Sequence, residues 1–251
     1  MSPCSILITG GSSGLGEALA LEYAGPGITL FLSGRDRDRL EAVAETCRAE
    51  GAQVYPKMID VTDRGAMAAW VAECDTTSAL DLVIANAGIS TGTGQGGEND
   101  EQTRAIFATN VDGVLNTVLP AIAAMRPRRA GQVALMSSLA SFRGMPGAPA
   151  YCASKAAVRV WGESLRGDLA RHGIRVSVIC PGFVVTRMTA VNKFPMPFLM
   201  DAAKAARIMA DGLARNKGRI AYPWPTAFGA WLGAVLPDAL MDWIGRKMPA
   251  K

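Results

Sequence analysis

The stretch PAYCASKAAV, residues 149–158, sets a tyrosine and a lysine four positions apart. Residues at i and i+4 share one face of a helix, so a helix beginning near Tyr151 would hold the Lys155 ammonium beside the phenol. A free phenol titrates near pH 10, so about 0.1% is phenolate at pH 7, and bringing it three units toward neutrality takes ~4 kcal/mol. A unit charge at roughly 4 Å in partly buried surroundings supplies about that much. The pair can therefore act as one acid–base device. Ser138 ends the apolar run QVALMSS, where strand ends of open parallel sheets supply catalytic groups. Its hydroxyl can hold a substrate oxygen while Tyr151 exchanges that oxygen's proton. Ser137 is the rival for this role, and strand alternation sends the two side chains to opposite sides.

Short β-branched or aliphatic runs must position these groups. SILIT, ITLFLS, QVYPKMID, LDLVIANAG, GQVALMSS, IRVSVICPG and GRIAYP alternate with helix-length segments at 14–24, 36–50, 63–76, about 100–125, 151–171 and 201–215. Seven apolar strands separated by helices predict an α/β protein: a doubly wound, Rossmann-type, mostly parallel seven-stranded sheet with helices on both faces. A chain of 251 residues with 49% apolar content can bury one core, and no repeat or proline- or serine-rich linker divides it, so residues 1–251 are expected to form a single domain. Residues 90–100, STGTGQGGEND, read as a mobile loop after a strand end. Residues 183–200 and 223–250 are apolar without strand patterning and are candidates to cap a substrate pocket.

ILITGGSSGLGEALA places Gly10, Gly14 and Gly16 between the first strand and the first helix. Glycines there let the backbone approach a pyrophosphate, whose charge faces free amides at the helix N-terminus. The spacing is TGxxxGxG, and with the Tyr-x-x-x-Lys pair the chain resembles the short-chain dehydrogenase/reductase family over about residues 5–190. Further matches support the resemblance: Asp60-Val61 ending the third strand, ANAG at 85–88 with Ala85 in place of an asparagine, Asn110 in the next helix, and Pro181-Gly182 with Thr186. The resemblance implies an NAD(P)-dependent oxidoreductase moving a hydride between nicotinamide and a secondary alcohol or ketone carbon. It implies catalytic roles for Ser138, Tyr151, Lys155 and Asn110, the last anchoring a water that extends the relay. Lys155, aided by the charge of an oxidised nicotinamide, would lower the Tyr151 pKa and hold the nicotinamide ribose. Cofactor contacts are implied for Gly10, Ser12, Ser13, Gly14, Leu15, Gly16, Arg35, Asp60, Val61, Asn86, Ala87, Gly88, Tyr151, Lys155, Pro181, Gly182 and Thr186, and a homodimer or homotetramer is implied for the assembly. Two rivals are a nucleotide-binding sensor or scaffold without turnover and a lyase on the same fold. Intact relay residues weigh against the first, and the glycine turn with Lys155 against the second.

The second strand ends at Gly34, followed by Arg35. In the resembled family an acidic residue at the Gly34 position bonds the ribose hydroxyls of NAD. Its absence with a following arginine suits the 2′-phosphate of NADP, which a guanidinium grips and a carboxylate repels. NADP is therefore the expected cofactor, with NAD the alternative. Asp36 also sits near the expected distance, but it heads the helical stretch RDRLEAVAE and reads as its N-cap.

Composition excludes several classes. Five cysteines without a CxxC pair argue against a disulfide framework or zinc site, and a cytoplasmic location is expected. SILIT follows at once on an N-terminus without a basic region, so no secretory signal is expected. TAFGAWLGAVLP, taken as the longest weakly polar stretch, is short of the ~20 residues of a membrane span, so no crossing is expected. The net charge of +4 is dispersed apart from RPRR at 126–129 and GRDRDR at 34–39, too little clustering for a nucleic-acid footprint. His172 falls in ARHGIRV, where a cation would complement a helix C-terminus, and no GxSxG elbow accompanies it. Cys152 reads as a helix-facing spectator. Trp224, Trp231 and Trp243 with Phe228, Leu232, Leu236 and Leu240 form a stripe read as core or dimer packing, with a lid for a lipophilic substrate or a shallow membrane contact as the alternative.

Overall fold

A computed structural model describes residues 3–90, 97–192 and 194–245. Strands β1 (Ser5–Thr9), β2 (Thr29–Gly34), β3 (Gln53–Met58), β4 (Leu82–Ala85), β5 (Gln132–Met136), β6 (Arg175–Pro181) and β7 (Arg219–Tyr222) form one parallel sheet in the order β3-β2-β1-β4-β5-β6-β7. The crossovers are α1 (Gly14–Tyr23), α2 (Arg37–Ala49), α3 (Arg64–Thr77), α4 (Asp100–Phe107) with α5 (Gly113–Arg128), α6 (Pro149–Ala170), and α7 (Arg187–Ala190) with α8 (Ala202–Ala214). Helices α9 (Trp224–Val235) and α10 (Asp238–Gly245) follow β7. The expected doubly wound sheet is present.

Alternation along the central strands builds the two layers. Ile6 and Ile8 of β1, with Leu82 and Ile84 of β4, face a core shared with α1, α2 and α8. Leu7, Val83 and Ala85 face the opposite core with α3, α5 and α6. Asp36 and Asp63 accept from the amides of Arg39 at 3.0 Å and Ala66 at 2.9 Å, fixing the starts of α2 and α3. The strand order reverses between β1 and β4, and the carboxyl ends there open a crevice.

Three expectations need correction. The continuous helical run Asp100–Arg128 is long and apolar enough to cross a membrane, unlike the shorter stretch taken as the longest. Half of its apolar window is buried, because Val114, Val118, Ala121, Ile122 and Met125 of α5 pack on the sheet, which is the pattern of a core helix. The stripe on α9 is no core: Trp224 is 76% exposed, Phe228 54% and Trp231 49%, and nothing in α9 is buried. The Trp243 side chain and residues 91–96 of the expected loop lie outside the described residues. His172 follows the last turn of α6, but partial desolvation and the charges of Arg126, Arg171 and Arg129 lower its pKa, so the arginines supply the positive charge there.

Candidate active site

Gly10 adopts a left-handed conformation (φ 66°) at the end of β1, which only glycine takes without strain. A Cβ on Gly16 would overlap the Gly10 carbonyl oxygen, so α1 can lie against the turn only with glycine there. The N-cap Ser13 makes no side-chain cap bond, and Ser12, Ser13, Gly14 and Leu15 line a cleft of about 900 Å³. Asn86 fastens this turn to β4, its side-chain nitrogen donating to the carbonyl oxygens of Thr9 at 2.9 Å and Gly10 at 3.3 Å. Thr9 Oγ1 in return accepts from the amides of Asn86 and Ala87.

The same cleft is walled by Ser138, Tyr151 and Lys155. Tyr151 and Ser138 share a side-chain hydrogen bond, and Ser138 Oγ accepts from the Ala140 amide at 3.1 Å. Ser137 points away, donating to the main-chain oxygen of Lys155 at 2.7 Å, so alternation resolves the rivalry in favour of Ser138 facing the phenol. Lys155 is 3% exposed and donates from Nζ to the Met136 carbonyl oxygen at 2.9 Å. Burial lowers its pKa to about 8. Burial raises the Tyr151 pKa, and the bond with Ser138 opposes the rise. The low-dielectric setting disfavours charge on both groups, and the amine is engaged on β5, so the expected acidification of the phenol is left to Lys155 together with the charge of an oxidised nicotinamide.

Asn110 lies not in an ordinary helix but in the π-helical turn Ala108–Asp112, a feature that widens a helix at functional sites. It is fully buried. Its Oδ1 accepts from the Ile89 amide at 2.8 Å, and its Nδ2 donates to Ile89 O and Ser154 Oγ at 2.9 and 3.1 Å. A Cβ on Gly88 would come within 3.1 Å of both Asn110 Oδ1 and Lys155 Nζ, so the chain after β4 passes closely over the lysine. Of the expected site residues, Gly16 and Asn110 sit behind the cleft wall and all the others line it.

At the other end of the cleft, Arg35 lies 3.7 Å from Asp60, just beyond β3. Burial opposes it, but hydrogen bonds from Thr62 and the Arg35 charge hold the Asp60 carboxyl below its usual range. Asp36 is committed to capping α2 and pairs with Arg39 at 3.0 Å. Arg39, which sequence reading passed over, also lines the cleft. The glycine cradle and the free amides of α1 fit a dinucleotide phosphate chain.

A crevice of this form at a topological switch point defines a Rossmann-type dinucleotide-binding protein. Its sequence matches the family described as short chain dehydrogenase over residues 5–194. An uncharacterized oxidoreductase of Myxococcus xanthus is 40% identical over 249 residues, covering 99% of this chain and 98% of its own. A short-chain dehydrogenase from Sphingobium yanoikuyae in complex with NADPH shares the fold at 24% identity, with a TM-score of 0.80 over 93% of this chain and 96% of its own. Another from Mycobacterium paratuberculosis, bound to NAD, does so at 22% identity and a TM-score of 0.77, over 89% and 97% of the two chains. The protein belongs to the short-chain dehydrogenase family of oxidoreductases.

Proposed function

We propose that the protein transfers a hydride between NADP(H) and the carbonyl carbon of an uncharged, apolar ketone, or the corresponding secondary alcohol in reverse. The observation that carries this reading is the Ser138–Tyr151 hydrogen bond on the wall facing the glycine turn, with Lys155 one helical turn along. The cofactor supplies or accepts the hydride; the chain supplies position and protons. In the reducing direction Ser138 donates a hydrogen bond to the ketone oxygen, and Tyr151 passes its hydroxyl proton to that oxygen as the alcohol forms. The phenolate so left is stabilised by Lys155 and regains a proton from solvent. Asn110 holds the segment after β4 and, through Ser154, the helix that carries Tyr151 and Lys155.

Three features favour NADP: Gly34 carries no carboxylate, Arg35 and Arg39 both reach the cleft, and Asp36 is occupied as a cap. The wall beyond Tyr151 favours an apolar substrate. Met145, Pro146, Phe183, Met188, Phe194 and Ala230 line it, and among the described residues of that half only the exposed Arg187 joins Lys155 as a charged group. A cleft of about 900 Å³ is at the upper end of the range for single-ligand sites, leaving room beside a dinucleotide.

The test is NADPH consumption with methyl ketones of four to twelve carbons, with pyruvate as a charged control. The specificity constant should climb by ~3–4-fold per methylene until the pocket is filled. Pyruvate should be inert and Tyr151→Phe inactive. Consumption that survives in Tyr151→Phe, or none with any ketone despite NADPH binding, overturns the reading, the second outcome favouring a sensor.

A further inference from the structure

Helix α6 begins without a cap of its own. Ala148 at the N-cap offers no side-chain acceptor, Pro149 carries no N–H, and the first helical bond runs from the Cys152 amide to the Ala148 oxygen at 3.0 Å. The amides of Ala150 and Tyr151 are thereby left to find acceptors outside the helix. One carboxylate from a distant part of the chain takes both: Glu98 Oε2 accepts from Ala150 N at 2.5 Å and Glu98 Oε1 from Tyr151 N at 3.4 Å.

Glu98 is itself held. Asn99, next in sequence, forms a reciprocal capping box with Gln102, the two bonds being 2.8 and 3.0 Å, so Glu98 is joined directly to the first turn of α4. The α4 run leads into the π-turn of Asn110, whose side chain donates to Ser154 on α6. Two contacts from one continuous segment therefore grip α6 on either side of the Tyr151 side chain, at the backbone of 150–151 and at Ser154. The same Asn110 holds Ile89 at the cofactor end of the cleft. A serine at the N-cap would satisfy the helix locally; recruiting Glu98 instead ties the Tyr151 backbone to the connection that follows β4.

We infer that Glu98 is a positioning residue for proton transfer by Tyr151, acting through the α6 backbone. It does not line the cleft. The inference rests on the oxidoreductase reading above. Small displacements of a reacting group cost up to ~100-fold in rate, so Glu98→Ala should lower kcat by about 10- to 100-fold. NADPH affinity, read by nucleotide fluorescence, should stay within about twofold, because the glycine turn is untouched. Glu98→Gln retains one oxygen, which can still accept the shorter bond from Ala150 N, and should recover kcat to within about threefold of wild type.

The assay uses the full chain with NADPH and 2-decanone. Wild-type kcat in Glu98→Ala, parallel loss of kcat and NADPH affinity, or a Gln variant no better than Ala would each overturn the inference. Should the Ala variant fail to fold, Glu98→Asp replaces it; its shorter carboxylate should turn over more slowly than Gln at unchanged NADPH affinity, and equal rates overturn the inference. A wild type that binds NADPH but reduces no ketone sinks the oxidoreductase reading and this inference with it. An active wild type beside an insensitive Glu98→Ala sinks the inference alone.

Discussion

Lys155 is held from both ends by two consecutive residues: its Nζ donates to the Met136 carbonyl at 2.9 Å, and its own carbonyl accepts from Ser137 Oγ at 2.7 Å. The strand end that presents Ser138 is thus fastened to the helix turn that presents Tyr151 and Lys155. Ser137→Ala removes the buried Ser137–Lys155 bond and should cost about 1 kcal/mol of stability, read as a lower denaturation midpoint at unchanged m-value. It should also lower kcat several-fold while leaving NADPH affinity alone. Wild-type turnover in this variant would mean that the fastening has no bearing on the chemistry.

The lysine is also a stability liability. Its pKa falls from 10.5 to about 8 on folding through burial, so between those values the unfolded chain binds more protons. Stability from this group is then fully present above pH 10.5 and lost as pH falls through about 8. The full difference is on the order of 3 kcal/mol. Lys155→Met should therefore be inactive yet more stable than wild type at pH 7 without nucleotide, by roughly 1–2 kcal/mol after the lost Met136 bond is allowed for. The gap should close by pH 10, and urea titrations of both proteins at the two pH values would show it; a gap independent of pH refutes the linkage.

The layers were readable because central parallel strands are buried on both faces, and SILIT or QVALM has no other stable place. The cleft residues were readable because the glycine spacing and the tyrosine–lysine pair are local patterns. What escaped depends on distant partners. An i,i+4 spacing puts Lys155 on the face of Tyr151 but does not say that the Met136 carbonyl will claim its amine. The π-turn at Asn110 runs straight into Gly113, where a Cβ would overlap the Val61 side chain, a close approach between distant segments that no local pattern displays. Glu98 gave no sign either, since its partners at 150 and 151 are backbone amides. Arg39 could have been found: it stands in the first turn of α2, three residues after the N-cap Asp36 with which it pairs.

The glycine at position 16 carries a steric requirement that can be separated from chemistry. A methyl there meets the backbone oxygen of Gly10, which cannot swing aside as a side chain could. Gly16→Ala should destabilise the protein by roughly 1–3 kcal/mol and abolish NADPH binding. Gly25→Ala, where a Cβ meets nothing within 4 Å, should do neither. Calorimetric titration of both variants with NADPH checks the pair.

Cofactor preference should depend on two positions. A Cβ on Gly34 would lie 2.9 Å from Ser12 Oγ and 3.0 Å from Ser12 Cβ, so the space that an NAD-binding carboxylate would need is taken by the serine. Gly34→Asp alone should lose NADPH, through repulsion of the 2′-phosphate, without gaining useful affinity for NADH. Combined with Ser12→Gly it should gain NADH turnover. Arg35→Ala should weaken NADPH by about 10- to 100-fold, the worth of one or two charged hydrogen bonds, and leave NADH within about twofold. Equal losses for both nucleotides would place Arg35 against the adenine or pyrophosphate instead of the 2′-phosphate. NADH gained by the Gly34→Asp single variant would show that Ser12 yields the space on its own.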